Sequence, residues 1–188
     1  MVNSTPTSLK EVLIIEPRVF KDERGFFKES YHKEKYQEAG IHHTFVQDNQ
    51  SQSVKDVLRG LHYQLKHPQA KLIHVLGGAI FDVVVDIRQG SPTFGKWVGM
   101  HLSAQNHRQL YIPEGFAHGF CVLSEQADIE YKCSDFYSPD DEYGLRWNDP
   151  ELNINWPIQN PLLSPKDAAY PLLSQQPKDN LPIFQDLK

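Results

Sequence analysis

The chain has 188 residues, 39% of them hydrophobic and 23% charged, with a formal net charge of −5, which suits one soluble globular domain with a sizeable core. That acidic balance offers no global basic footprint for nucleic acid, so an anionic ligand has to be met by a local cluster of arginines. No apolar run approaches the roughly 18 residues of a membrane span, and MVNSTPTSLKEV lacks the apolar stretch of a secretion signal, so the expected setting is the cytoplasm with no membrane partner.

Residues 1–8 are polar and read as frayed. EVLIIEPRVF, from Glu11 to Phe20, is apolar and β-branched, and Pro17 makes its second half an edge or a bend. An edge around Val12 to Ile15 is a candidate for pairing with a second copy, which predicts a homodimer. RGFFKE, from Arg24 to Glu29, reads as a strand entered through Gly25, and Ser30 to Gly40 as a helix closed by Gly40. From Thr44 the pattern has period two, with Phe45, Gln47 and Asn49 on one face and Val46, Asp48 and Gln50 on the other. Strands follow at Leu58 to Gln64 and Lys71 to Leu76, and Gly77-Gly78 predicts a hairpin turn into Ala79 to Arg88. Trp97 to Ser103, Gln109 to Pro113, His118 to Leu123 and Ala127 to Phe136 complete the strands, with Cys121 and Cys133 expected as free buried thiols. After Tyr137 the chain is irregular until Ser164-Pro165-Lys166-Asp167, a helix start with serine as cap and proline in the first turn. Short strands separated by Gly/Pro turns predict a mainly β sandwich or jelly-roll barrel with a few short helices. The predicted organisation is a single domain over residues 1–188 with its core at about 44–136. The N-terminal strands and C-terminal helical segment pack on that core, and the tail at 174–188 is extended.

Candidate chemistry begins in LRGLHYQLKHPQAK, from Leu58 to Lys71. There two neighbouring strands present His62, which can take a proton near neutral pH, and Lys71, which can hold a developing negative charge. A partly buried sheet histidine and a solvated lysine are the plainer reading of each alone. His62 shares its parity with Gly60 and Gln64, whereas Arg59 falls on the opposite face unless Gly60 sits at a bulge. In ADIEYKCSDF the charges Asp128, Glu130 and Lys132 must meet water, which turns Ile129, Tyr131 and Cys133 inward. Tyr131 is then either a core tyrosine or a phenol inside a cavity. PEGFAHGF, from Pro113 to Phe120, is similar to the second motif of the cupin superfamily. In many cupins the first motif carries a metal-binding His-x-His pair; here Gln64 stands where the second histidine belongs, so no metal is expected.

The motifs RGFFKE, FVQDNQS, LRGLHYQ, PEGFAHGF and YKCSDFYSPDDEYG, with Lys71, together resemble the dTDP-4-dehydrorhamnose 3,5-epimerase family of metal-free cupins, over roughly Glu11 to Leu173. The resemblance implies a jelly-roll or double-stranded β-helix fold and a cofactor-independent isomerase of dTDP-rhamnose and O-antigen biosynthesis. It would invert C3 and C5 of dTDP-4-dehydro-6-deoxy-D-glucose next to the C4 ketone. It implies His62 as the base, Asp167 as its partner, Lys71 at the enolate oxygen and Tyr131 as the acid on the far face. It implies Arg24 and Arg59 on the diphosphate, and Glu29, Gln47, Asp48, Asn49, His118, Glu142 and Lys166 in contact with substrate, with Tyr137 stacked on thymine. A mono-epimerase of a deoxysugar pathway and a non-catalytic nucleotide-sugar-binding cupin are the competing readings.

Overall fold

A computed structural model describes residues 2–184, in which the period-two segments form two antiparallel sheets laid face to face. The strands in chain order are β1 (Asn3–Pro6), β2 (Leu13–Glu16), β3 (Val19–Asp22), β4 (Gly25–Lys28), β5 (Gln47–Val54), β6 (Leu58–Gln64), β7 (Lys71–Gly77), β8 (Ala79–Asp86), β9 (Trp97–Ser103), β10 (Gln109–Ile112), β11 (Phe116–Val122), β12 (Gln126–Cys133) and β13 (Glu142–Gly144). One sheet has the order β1-β2-β10-β7-β12-β5 and the other β13-β6-β11-β8-β9, while β3 and β4 form a hairpin of their own. The helices α1 (Lys33–Glu38) and α2 (Pro165–Ala169) are short. Among the described residues no helix is long and apolar enough to cross a membrane.

The main core lies between the sheets and includes Ile73, Val75, Ile80, Val84, Leu110, Phe116, Phe120, Val122 and Ile129. Each sheet also buries part of its outer face. On the six-stranded sheet Ile15, Leu72 and Tyr111 pack with Tyr36 of α1. On the other, Leu61, Val83, Val85 and Ala117 are covered by Leu145, Leu152, Leu173 and Leu181. Cys121 and Cys133 are free and buried.

Several sequence expectations change. Asn3–Pro6 is a strand, not a frayed end, because its polar residues pair with Leu13–Glu16 in register. That pairing places β2 between β1 and β10, so Val12 to Ile15 offers no open edge; the edge is β1. The expected helix from Ser30 to Gly40 shrinks to Lys33–Glu38. Gly77-Gly78 does not make a hairpin. The strands on either side belong to different sheets, and Gly78, at φ +74°, turns the corner between them. The tail is not simply extended: Leu173–Gln175 and Lys178–Asn180 are 3₁₀ turns, and Ile183 bridges Gln89 in parallel. Residues 185–188 of that expectation lie outside the described residues.

The β3–β4 hairpin is tied to the sheet by Lys28, whose ammonium donates to His74 Nε2 at 2.6 Å and His107 Nδ1 at 3.3 Å. His74 is buried, and burial first, then the charge of Lys28, pushes its pKa down to about 4. An unfolded chain binds a proton at this histidine near pH 6.5, so the contribution is complete above that value and is lost as pH falls towards 4. Urea unfolding at pH 7.5 and 4.5 should show His74 accounting for roughly 2–3 kcal/mol of the acid loss. His74→Gln should flatten the acid slope by that amount; an unchanged slope would assign the loss to other groups.

Candidate active site

A cavity of about 350 Å³ opens between the sheets. Its walls carry His62, Arg59 and Gln64 from β6 and His118 from β11 on one side, and Gln47, Asn49, Ser51, Lys71 and Tyr131 from β5, β7 and β12 on the other. Gly60 explains how Arg59 and His62 reach the same cavity. The β6–β11 register pairs His118 with His62 and Phe120 with Arg59, so β6 holds one extra residue there. Gly60 has φ +111°, and a methyl group on it would lie 2.6 Å from the Gly119 Cα and the His118 carbonyl oxygen. Only glycine allows both the bulge and that approach.

His62 Nε2 donates to Asp167 Oδ1 at 2.5 Å. Asp167 comes from the first turn of α2, where Ser164 caps the helix by accepting from the Asp167 amide at 3.0 Å and donates to Asp167 Oδ2 at 2.8 Å. Burial opposes the Asp167 charge, but the His62 and Ser164 hydrogen bonds outweigh it and hold the carboxyl below its usual range. The Glu142 carboxylate lies 3.7 Å from the other imidazole nitrogen, Nδ1. The dyad is therefore an imidazole with one nitrogen fixed to a charged acid and the other turned to the cavity.

The facing wall supplies an amine and a phenol. Among the described residues neither Lys71 nor Tyr131 has a hydrogen-bonded side-chain partner, and both line the cavity. Burial pushes the Lys71 pKa down, against the pull of Cys133, Glu142 and Asp82. Burial pushes the Tyr131 phenol up, so it stays protonated through neutrality. A lysine amine on the cavity wall with no side-chain hydrogen-bond partner among the described residues is available to a charge that develops there.

A model of the dTDP-4-dehydrorhamnose 3,5-epimerase family matches residues 6–175. The chain belongs to that family. It is 59% identical to the dTDP-4-dehydrorhamnose 3,5-epimerase of Shigella flexneri over 168 residues, 88% of this chain and 93% of that one. It is 43% identical to a dTDP-4-dehydrorhamnose 3-epimerase of Streptomyces niveus, over 90% of this chain and 83% of that one. The crystal structure of a dTDP-6-deoxy-D-glucose-3,5-epimerase from Legionella pneumophila in complex with dTDP-4-keto-L-rhamnose has a TM-score of 0.96 and 53% identity, covering 98% of this chain and 100% of that one.

In this member of the epimerase family the expected site residues divide. His62, Lys71, Tyr131, Arg59, Gln47, Asn49, His118, Glu142 and Tyr137 line the cavity, and Asp167 backs it through His62. Lys166 sits at the rim, its ammonium paired with Glu142, which also accepts from the Tyr137 hydroxyl at 2.7 Å. Three expectations change place. Arg24 lies on the exposed β3–β4 turn, paired with Asp22 at 2.5 Å, away from this chain's cavity. Glu29 pairs with Lys35 at 2.8 Å, also outside it. The Asp48 side chain points outward to Lys132 at 2.9 Å, as the parity opposite Gln47 and Asn49 requires.

Sequence reasoning missed Asp82, which is fully buried and accepts from His118 Nε2 at 2.9 Å. An acid inside the apolar run AIFDVVVDIR was the signal for it. It also missed Ser51 and Ser53, which continue the Gln47 and Asn49 face; Ser53 accepts from Arg59 Nε at 3.0 Å. Gln64 is used structurally: its amide donates to the His67 carbonyl at 2.6 Å and accepts from the Ser138 amide at 2.9 Å.

Proposed function

We propose that this isomerase inverts C3 and C5 of dTDP-4-dehydro-6-deoxy-D-glucose, giving dTDP-4-dehydro-L-rhamnose without metal or cofactor. The observation that carries the reading is the pairing of a His62–Asp167 dyad on one sheet with Lys71 and Tyr131 on the other, across one cavity. The C4 ketone acidifies the adjacent C–H bonds. His62 takes the proton through the nitrogen not held by Asp167, Lys71 meets the enolate oxygen, and Tyr131 delivers a proton from the opposite face. Solvent returns a proton to the phenolate and takes one from the imidazolium, so the cycle closes at each carbon. Such a reaction draws on a cytoplasmic supply of nucleotide sugar. Incubation with the dTDP-sugar in D₂O, read by NMR, should show deuterium and inverted configuration at both ring carbons. Inversion at one carbon alone would overturn the double epimerase.

Arg59 supports the diphosphate end, being the arginine on the cavity wall and steadied by Ser53. Arg59→Ala should raise KM roughly tenfold or more and lower kcat little, the signature of lost uniform binding. A collapsed kcat at unchanged KM would place Arg59 at the reacting carbons instead.

The reading includes a homodimer. Phe20, Phe26 and Phe27 on the β3–β4 hairpin are 50%, 57% and 70% exposed, an apolar surface a second copy would cover, and β1 is an open sheet edge. Arg24 and Glu29 would then serve a diphosphate only in the cavity of the second copy. Light scattering should give twice the mass of the chain, and deleting residues 1–16 should weaken association; a monomeric intact chain would overturn it.

A further inference from the structure

Resting on the epimerase reading, we propose that Tyr170 is a positioning residue for the base: its ring fixes the plane of the His62 imidazole, and residue 144 is glycine so that the ring can lie there. Helix α2 brings two groups to His62, Asp167 from its first turn and Tyr170 as its C-cap. The hydrogen bond to Asp167 fixes one atom, Nε2, and leaves the imidazole free to swing about that point. The Tyr170 ring stands 5.6 Å from the imidazole, centroid to centroid, with the planes at 68°. This edge-to-face packing is the arrangement that aromatic rings favour. It removes the remaining freedom and leaves Nδ1 turned to the Glu142 side of the cavity.

The surroundings of Tyr170 are built for this contact. Gly144 stands directly opposite His62 in the β13–β6 ladder. A methyl group on it would lie 2.4 to 2.6 Å from three atoms of the Tyr170 ring. Gly144 is absent from the positive-φ glycines, so its backbone does not demand glycine; the space taken by the ring does. Arg146 clamps the residue from the other side, its Nε donating to the Tyr170 carbonyl at 3.1 Å and its amide to the Pro171 carbonyl at 2.9 Å. The Tyr170 hydroxyl is buried and has no hydrogen-bond partner among the described residues. The contact with His62 therefore rests on the ring rather than on the hydroxyl.

That division sets the test. Steady-state kinetics with the dTDP-4-dehydro sugar, across pH, would compare the full-length protein with Tyr170→Leu, Tyr170→Phe and Gly144→Ala. Tyr170→Leu should lower kcat roughly 10- to 100-fold, the scale of a slightly misplaced catalytic group, with KM within about twofold. Phenylalanine keeps the edge-to-face contact and should restore kcat to within about threefold of the tyrosine. Gly144→Ala displaces the ring without removing it and should resemble the leucine variant, which keeps the test open if Tyr170→Leu does not fold. Undiminished kcat in a folded Tyr170→Leu or Gly144→Ala overturns the proposal. So does a phenylalanine variant as slow as leucine, or a rise in KM at unchanged kcat. An unsubstituted protein inactive on this sugar would instead overturn the epimerase reading.

Discussion

His62→Ala should abolish both inversion and uptake of solvent deuterium at the carbons beside the ketone. The expected fall in kcat is roughly 10²- to 10⁴-fold, the usual worth of a positioned general base. Among the described residues His62 is the imidazole that combines a place on the cavity wall with a hydrogen bond to a partner held by a helix cap. His118 also faces the cavity, but its Nε2 is engaged by both carboxylate oxygens of the fully buried Asp82, at 2.9 and 3.0 Å. His62 is half-buried, and the cap that shapes α2 is made by Ser164, so the variant should fold and bind substrate. Binding measured by calorimetry with dTDP separates lost chemistry from lost structure. Deuterium uptake at the native rate would remove His62 from the role of base and direct attention to Glu142, 3.7 Å away.

Part of the fold was legible because β5 and β12 keep one face towards water and so carry an alternation that survives in the sequence, whereas β10 and β11, buried throughout, are legible only as apolar runs between turn residues. Trp97–Ser103 and Leu58–Gln64 have the bounds their residues predict. What failed was pairing. Gly77-Gly78 has the chemistry of a tight turn, and that chemistry serves equally for a hairpin and for a corner between sheets. The choice is made by β12 and β10, which flank β7 from residues far along the chain. Asn3–Pro6 failed for the converse reason. Its residues are polar and exposed, and it is a strand only because β2 pairs with it.

The site was legible where parity speaks. The alternation of Asp128, Glu130 and Lys132 turned Tyr131 inward, and Gln47 and Asn49 face the cavity together. The same rule excludes the Asp48 side chain, which the family resemblance had brought in. Arg59 beside His62 depended on a bulge at Gly60, a backbone feature that sequence could name only as a condition. Asp167 and Tyr170 were out of reach of any local pattern. They meet His62 from more than a hundred positions along the chain, carried by a helix of five residues.

Tyr131→Phe should separate proton exchange from inversion. In this variant the dyad and Lys71 are intact, since Tyr131 makes no side-chain hydrogen bond to either among the described residues. His62 can still remove a proton, Lys71 can still hold the enolate oxygen, and His62 can return a proton to the face it came from. The sugar should therefore take up deuterium from D₂O without change of configuration, while inversion falls roughly 10²- to 10⁴-fold, the worth of a positioned general acid. The geometry behind this expectation is the placing of acid and base on different sheets, β12 and β6, so that a sugar between them offers one face to each. Burial holds the phenol above its ordinary pKa, so the Tyr131 hydroxyl keeps its proton at neutral pH, and phenylalanine should keep the packing of the ring. NMR of the recovered sugar distinguishes the outcomes directly. Deuterium with retained configuration assigns the far-face proton to Tyr131. Rapid inversion would assign it to water or to another group on the β5–β12 wall, and loss of exchange together with inversion would show that Tyr131 also supports formation of the enolate.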